Sequence, residues 1–564
     1  MAQAGVAAGR RPVPDRVPRW LEWTIFLLLL GGASGLLADL GRGTTFFYDE
    51  WNFVLHARRS IWSVVLLPHN GHPSMVPTLL YRALFVTVGL RAYWPYRLLA
   101  VGLLAATSVL VFVALRTRVG FVLAGVGALA VPLAGRAWED LLWPFQMSFV
   151  LSMLGGLAAL VLLERDRRSA DALAALAALV GLASSGLGLA WAAAVAVDLL
   201  WSGRWRRLWV VALPSIPMAL WYLRDDAHLA KLVFLRAAPA FFVHTAVGDV
   251  ANLIDIPRAA ARLAVVAGSL AAFAALLRGG RGVGRLAAAL AGLATFWTLT
   301  LVARGPGVLD PSRYLLPDLV FLVLGLGELA VLATLVPSRA RPVVSGAAAL
   351  ASAAAFAYGI VGSLPALQDG ARSLRAISRI DEAALGAVQM TAGALPPGFR
   401  PEPHLMPQVL TGPYLAVAER LGSPALAPAA IAEVPALATV ASSVFQVVLA
   451  DAARPWRSPH ARRWRCEQER FGAGLDLALA PGQPLGLRAG GGALALWLEP
   501  VGSIPTGVPG LVLPAHGGLL LPRGADWGPA PTDATLGRWA VRWTLWGRGV
   551  DPRAGTGLAC RPSP

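Results

Sequence analysis

Two adjacent carboxylates, Asp49 and Glu50, stand in the segment TTFFYDEWNF at residues 44–53. Two histidines, His69 and His72, follow in LPHNGHPSMVP at residues 67–77. Farther on, GRAWEDLLWPFQ (135–146) carries Arg136, Glu139 and Asp140, and ARGPGVLDPSRYLLP (303–317) carries Arg304, Arg313 and Tyr314. A carboxylate can take the proton of an attacking hydroxyl, and a carboxylate pair can instead hold a hard cation such as Mg or Mn. His72, inside a Gly-His-Pro turn, is placed to join such a cation or to contact phosphate, although the spacing is diagnostic of no metal. Guanidinium forks match phosphate oxygens, which singles out Arg313 and, after it, Arg304. Each group also has a plainer role. Asp49 and Glu50 fall where acids cap a helix and meet its dipole; neighbouring side chains diverge by about 100°, so one can cap while the other faces a cavity. His69 reads as a solvated loop histidine, Glu139 equally as a site acid or a solvated one, and Trp138 and Trp143 as anchors in the aromatic belt. Arg304, Arg313 and Lys231 could contact lipid headgroups, and for Lys231 that is the reading taken.

The elements that must position these residues are set by composition. Of 564 residues, 56% are apolar and 14% charged, against about a quarter charged in an ordinary soluble domain. Mean hydropathy is +0.60. That excludes a purely cytosolic globular protein and a disordered chain. The apolar excess lies before about residue 365, in runs long enough to cross a bilayer, for which about 20 residues suffice. The net charge of +17 comes almost wholly from arginine, Lys231 being the one lysine. The arginines sit between apolar runs, as orientation by cytoplasmic positive charge produces, and no basic-aromatic stripe points to nucleic acid.

The basic stretch with Arg10, Arg11, Arg16 and Arg19 precedes the run from Trp20 to Leu40, which reads as an uncleaved first span with a cytoplasmic N-terminus. Inside loops are marked by Arg116 and Arg118; Arg165, Arg167 and Arg168; Arg204, Arg206 and Arg207; Arg278, Arg281 and Arg285; and Arg339 and Arg341. Each lies two crossings from the last, giving about eleven spans. Residues 170–201 would make a single helix of roughly 45 Å against roughly 30 Å of hydrocarbon. They read instead as two short helices meeting at an outward Ser184-Ser185-Gly186 turn, whose backbone ends protein or water must cover. The first outer loop, 41–95, holds two amphipathic surface helices, Tyr48 to Arg59 and Val76 to Leu90. The segment 224–257, with His228, His244, Asp249 and Asp255, reads as an interfacial helix or lid without assigned chemistry.

The odd span count places everything after about residue 365 outside. Residues 365–455 mix short helical patterns, such as Tyr414 to Leu421, with Pro-rich joints. Residues 456–564 turn to short apolar stretches, Gly492 to Leu498, Gly510 to Leu513 and Arg538 to Leu545, broken by Gly and Pro, which read as strands of a β-sandwich. The two cysteines, Cys466 and Cys560, fall in this tail, as a disulfide in an extracytoplasmic domain would require. The domain map is therefore a cytoplasmic basic tail (1–19), a transmembrane domain (20–364), a helical linker (365–455) and a β-rich domain (456–564).

An acidic pair just after the first span, two surface helices and a His-Pro segment together resemble the GT-C superfamily of membrane glycosyltransferases, over roughly residues 20–364. The resemblance points towards actinobacterial arabinosyl- and mannosyltransferase-like proteins. It implies an α-helical polytopic enzyme of the plasma membrane that moves a hexosyl or pentosyl group from a polyprenyl-phosphate-linked donor to a glycan, lipid or protein acceptor of the cell envelope, on the outer face. By this resemblance Asp49 is the base, and Glu50 supports it or helps hold a divalent cation with His72. Arg313, Arg304 and His72 contact the phosphate, and Glu139, Arg136 and Tyr314 are accessory. No glycine-rich nucleotide loop is evident, and no nucleotide cofactor is expected. The competing classes are a transporter or flippase of lipid or solute, which would show related halves and mid-membrane ionisable groups, and a non-catalytic envelope assembly protein.

Overall fold

The computed structural model describes residues 18–562 except 70, 225–228, 280–282, 308–311, 333–340, 392–393, 456–463, 471–474, 480–482, 490–492, 501–507, 514–517, 522–542 and 550–555. Arg10, Arg11, Arg16, His228, Arg281, Arg339, the start of the Gly492 stretch, residues 538–542 and the side chain of Lys231 lie outside the described residues. The chain divides into two compact units. One comprises residues 1–41, 65–77 and 97–371; the other comprises 42–64, 78–96 and 372–564.

The first unit is α-helical. Apolar helices run over Arg19–Leu40, Trp94–Leu133, Met147–Leu162, Arg168–Leu182, Leu187–Trp201, Trp209–Arg224, Ala238–Leu253, Arg258–Arg278, Gly284–Arg304, Ser312–Leu332 and Arg341–Met390. The 40-residue element Trp94–Leu133 is two helices joined at Gly120, whose φ of 80° lies where glycine alone is at ease; the break follows Arg116 and Arg118, where an inside loop is expected. Seven described helices are long and apolar enough to cross a membrane, making this a multi-pass membrane chain. Two of the seven, Leu232–Leu253 and Pro435–Ala452, fall in segments expected outside.

Residues 170–201 split as expected, into Arg168–Leu182 and Leu187–Trp201. The carbonyl that ends the first half, Ala183 O, accepts from the N–H groups of Met75 and Val76 at 2.9 and 3.3 Å. Those N–H groups open the helix Met75–Thr87 and have no partner within it, so two helix termini satisfy each other where no water need enter. Ser152 Oγ donates to Gly181 O at 2.8 Å and meets Ser185 Oγ at 2.9 Å. Gly155 and Gly188 let the backbones of three helices close on one another at Gly181: a Cβ on Gly155 would lie 2.5 Å from Ala177 O, and one on Gly188 2.4 Å from Gly181 O.

At the arginine-rich helix ends, ion pairs connect one helix to the next. Arg285 is buried, donates to Leu160 O at 2.8 Å and Glu164 at 2.9 Å, and faces Asp198 at 3.2 Å. Arg204 holds the other oxygen of Asp198 at 2.6 Å. Arg118 bridges Glu164 at 3.0 Å and Glu328, Arg116 holds Glu22 at 2.8 Å, and Arg207 pairs with Asp171.

The second unit joins first-loop helices to the C-terminal part. Its helices are Glu50–Leu55, Ile61–Val65, most of Met75–Thr87, the tail of Arg341–Met390, Thr411–Leu421, Pro428–Ala432 and Pro435–Ala452. The helix Arg341–Met390 runs without a break through Pro365. Strands β1 (Arg454–Pro455), β2 (Trp464–Arg470), β3 (Leu475–Ala478), β4 (Leu485–Ala489), β5 (Leu494–Pro500), β6 (Leu511–Leu513), β7 (Gly518–Leu521), β8 (Trp543–Gly549) and β9 (Thr556–Pro562) form two antiparallel sheets. Their orders are β1-β7-β4-β9-β2 and β3-β8-β5-β6. Cys466 and Cys560 lie opposite each other on β2 and β9 and are joined by a disulfide. Gln446, on the helix Pro435–Ala452, pairs with the backbone of Leu498 through both its amide groups, at 3.0 and 3.2 Å, and so extends β5 from the side. Ser442 donates to the buried Glu499 at 2.6 Å.

Candidate functional site

The acidic pair belongs to the second unit. Phe46, at the centre of an aromatic cluster with Trp51, Phe85, Tyr93 and Tyr96, fixes the approach to the helix Glu50–Leu55. The chain then turns so that Glu50 N–H meets Phe47 O at 3.1 Å, and the residue inside this turn, Tyr48, has a φ of 44°. Thr45 N–H donates to Ser378 Oγ at 3.0 Å, tying the loop to the tail of the long helix.

The two carboxylates have separate fates. Glu50 is fully buried. It accepts from Tyr93 Oη at 2.8 and 2.7 Å, from Tyr81 Oη, and from Phe47 N–H at 3.0 Å. Burial, reinforced by the charge on Glu50, pushes the Tyr81 phenol well above its ordinary range, so it stays a donor. Glu50 thus acts as the acceptor at the centre of a tyrosine box. Asp49 occupies the N-cap position, is buried, and does not cap the helix through its side chain. Glu50 fills a structural place by accepting phenol protons rather than by capping the N-terminal turn.

Both Glu50 oxygens already accept hydrogen bonds, so a divalent cation held there would have to displace or share those donors. Among the described residues no group of three or more His, Cys, Asp or Glu is placed to hold a metal ion. His72 belongs to the other unit. There, His69 and His72 exchange backbone hydrogen bonds at 2.9 Å around Gly71. The His72 ring lies against Gly186, where a Cβ would come within 2.8 Å of its Nδ1. The His-Pro segment therefore meets the Ser-Ser-Gly turn of the half-helices. His69 packs on Phe145 at 5.0 Å instead of standing in solvent.

The remaining candidates also lie in the first unit. Arg313 opens the helix Ser312–Leu332, faces Glu139 at 3.7 Å, and stands over the Tyr314 ring at 5.9 Å. Tyr314 packs against Phe149 and Phe296. Arg136 pairs with Asp255, a partner no local sequence signal announces. Arg304 is exposed at the C-terminal end of its helix, where a cation meets the dipole favourably. One expectation is corrected. Trp143 is buried and stacked on Phe145 at 4.9 Å, so it anchors the core and not a belt. Trp138 is partly buried with its ring against Gly370. Tyr48, Tyr81 and Tyr93 went unassigned in the sequence; the one available signal was the density of tyrosines after the acidic pair.

Neither a protein-family model nor a curated protein matches the chain. It is similar to the crystal structure of ArnT from Cupriavidus metallidurans bound to undecaprenyl phosphate, at 14% identity, covering 72% of this chain and 85% of that one, with a TM-score of 0.42. A likeness this loose assigns no residue a role.

Proposed function

We propose that this chain is a membrane glycosyltransferase of the GT-C type, moving a hexosyl or pentosyl group from a polyprenyl-phosphate-linked donor to a cell-envelope glycan, lipid or protein. Its N-terminus would lie in the cytoplasm and its C-terminal part outside. The observation that supports this is the buried acidic pair: Glu50, bound to three donors, holds the loop and so fixes the place of the buried Asp49 beside it at the start of the helix.

In this reading the acceptor hydroxyl oxygen attacks the anomeric carbon. The bond from that carbon to the phosphate oxygen breaks, polyprenyl phosphate leaves with the electron pair, and the hydroxyl proton passes to Asp49. Arg313 stabilises the departing phosphate, with Arg304 and His72 as further contacts. Glu139 and Tyr314 hold the Arg313 side chain in place. Glu50 positions the base and takes no proton. The test is sugar transfer from lipid-linked donors by Asp49→Asn and Arg313→Ala, each confirmed as folded and membrane-inserted. Full turnover in Asp49→Asn removes the base, and full turnover in Arg313→Ala removes the phosphate ligand.

A further inference from the structure

Two described residues other than glycine have positive φ, Tyr48 at 44° and Asp255 at 50°. Asp255 pairs with Arg136 through its side chain. For Tyr48 the reason is not local. It is the first central residue of the turn closed by Glu50 N–H and Phe47 O, a position that turns with positive φ there give to glycine. A bulky residue in this region is a genuine outlier. Such strain persists only where the surroundings over-determine it, and it gathers at functional sites. The surroundings do so here: Glu50 is fixed by two phenols and the Phe47 N–H, and Trp51 N–H reaches Tyr48 O at 3.1 Å.

The ring gains little from the fold in return. Phe46 and Trp51 are fully buried, and Asp49 and Glu50 nearly or wholly so, whereas Tyr48 is 40% exposed. Among the described residues its aromatic neighbour is Phe47, tilted at 44° with centroids 5.9 Å apart. An exposed aromatic ring is thus kept at a strained backbone position directly beside a buried carboxylate. We infer that Tyr48 is a substrate-binding residue, whose ring offers a stacking face to a sugar of the reaction beside Asp49. The apolar C–H face of a sugar ring suits such a surface, with the phenol oxygen free to hydrogen-bond at its edge. The inference rests on the proposed glycosyltransfer, and the experiment distinguishes a donor sugar from an acceptor sugar.

The experiment compares Tyr48→Gly, Tyr48→Ala and Tyr48→Phe in the full-length chain in detergent. Thermal shifts are measured with polyprenyl-phosphate mannose and arabinose, with bare polyprenyl phosphate, and with free manno- and arabino-oligosaccharides. Tyr48→Gly relieves the strain, and its unliganded Tm is expected to rise by roughly 1–2 °C; Tyr48→Ala keeps the strain without the ring and stays at or below wild type. The wild type is expected to be stabilised more by a glycosylated lipid than by the bare one if the donor sugar stacks, or by an oligosaccharide if the acceptor does. The same difference should vanish in Tyr48→Gly and Tyr48→Ala and return in Tyr48→Phe. A Tyr48→Gly variant less stable than wild type makes the ring structural and overturns the inference. If the wild type discriminates sugars and Tyr48→Gly does so equally, only the assignment of Tyr48 falls. A wild type that binds none of these carbohydrates overturns the inference together with the glycosyltransfer reading.

Discussion

Substitution of Glu50 separates holding a site together from doing its chemistry. Glu50→Ala removes the acceptor from two buried phenols and from the Phe47 N–H. Each stranded donor costs about 1–3 kcal/mol, and the losses overlap, so about 3–6 kcal/mol is expected. That is a large share of the roughly 5–15 kcal/mol by which a domain is stable. Glu50→Gln keeps the shape and one good acceptor, and should cost about 1–2 kcal/mol. Tyr93→Phe, which removes a donor and leaves the carboxylate, should also lower Tm. Asp49→Asn should lower turnover by about 10²–10⁴. The assay pairs thermal unfolding in detergent, read by tryptophan fluorescence, with initial rates of transfer at saturating lipid-linked sugar. If Glu50→Gln unfolds at the wild-type temperature yet loses turnover as fully as Asp49→Asn, then Glu50 reacts directly and the positioning argument is refuted.

Burial raises the Glu499 carboxyl to about 7 from a model-peptide value of 4.5, against the opposing hydrogen bond from Ser442. A raised folded pKa means stability that is complete below about 4.5 and lost as pH rises through about 7, up to about 3 kcal/mol at about 1.4 kcal/mol per unit. Unfolding scans from pH 4.5 to 8 should show that decline, lessened in Glu499→Gln but not abolished, because burial raises Asp381 and Glu382 in the same direction. Cys466→Ser with Cys560→Ser opens a loop of 94 residues' separation and should destabilise the strand region by about 2–4 kcal/mol, seen as strand-region proteolysis with the first unit's helices still protected. Gly155→Ala should cost about 1–3 kcal/mol by forcing apart the helices Met147–Leu162 and Arg168–Leu182, measured as a lower Tm; an unchanged Tm would mean that the two backbones separate without penalty.

Much of the framework is legible locally because local physics decides it. A run too long for one crossing and flanked by arginines must turn back, and Ser184-Ser185-Gly186 is where it does. Punctuation by Gly and Pro marks the strands, and two cysteines in one C-terminal stretch find each other. What escapes is set by distant partners. Nothing near residue 45 announces Ser378, yet that bond helps place residues 42–64 with the C-terminal part. Glu50 looks like a helix cap until Tyr81 and Tyr93, 31 and 43 residues on, supply its donors. The boundary expected at about residue 365 falls inside the helix Arg341–Met390, which continues through Pro365. Tryptophans near an expected interface suit a belt by composition alone; only packing shows that Trp143 is enclosed.

The arginines that orient such a chain during insertion are, in this protein, also its fasteners. Arg118, Arg204 and Arg285 are each engaged with a carboxylate on another turn or helix. Editing one of them to invert the topology would strip a partner from an enclosed acid, at a cost of about 3–5 kcal/mol. Positive charge of the kind that sets insertional polarity thus also keeps these helix ends aligned: a mutant that loses one of these guanidinium groups loses part of the seam.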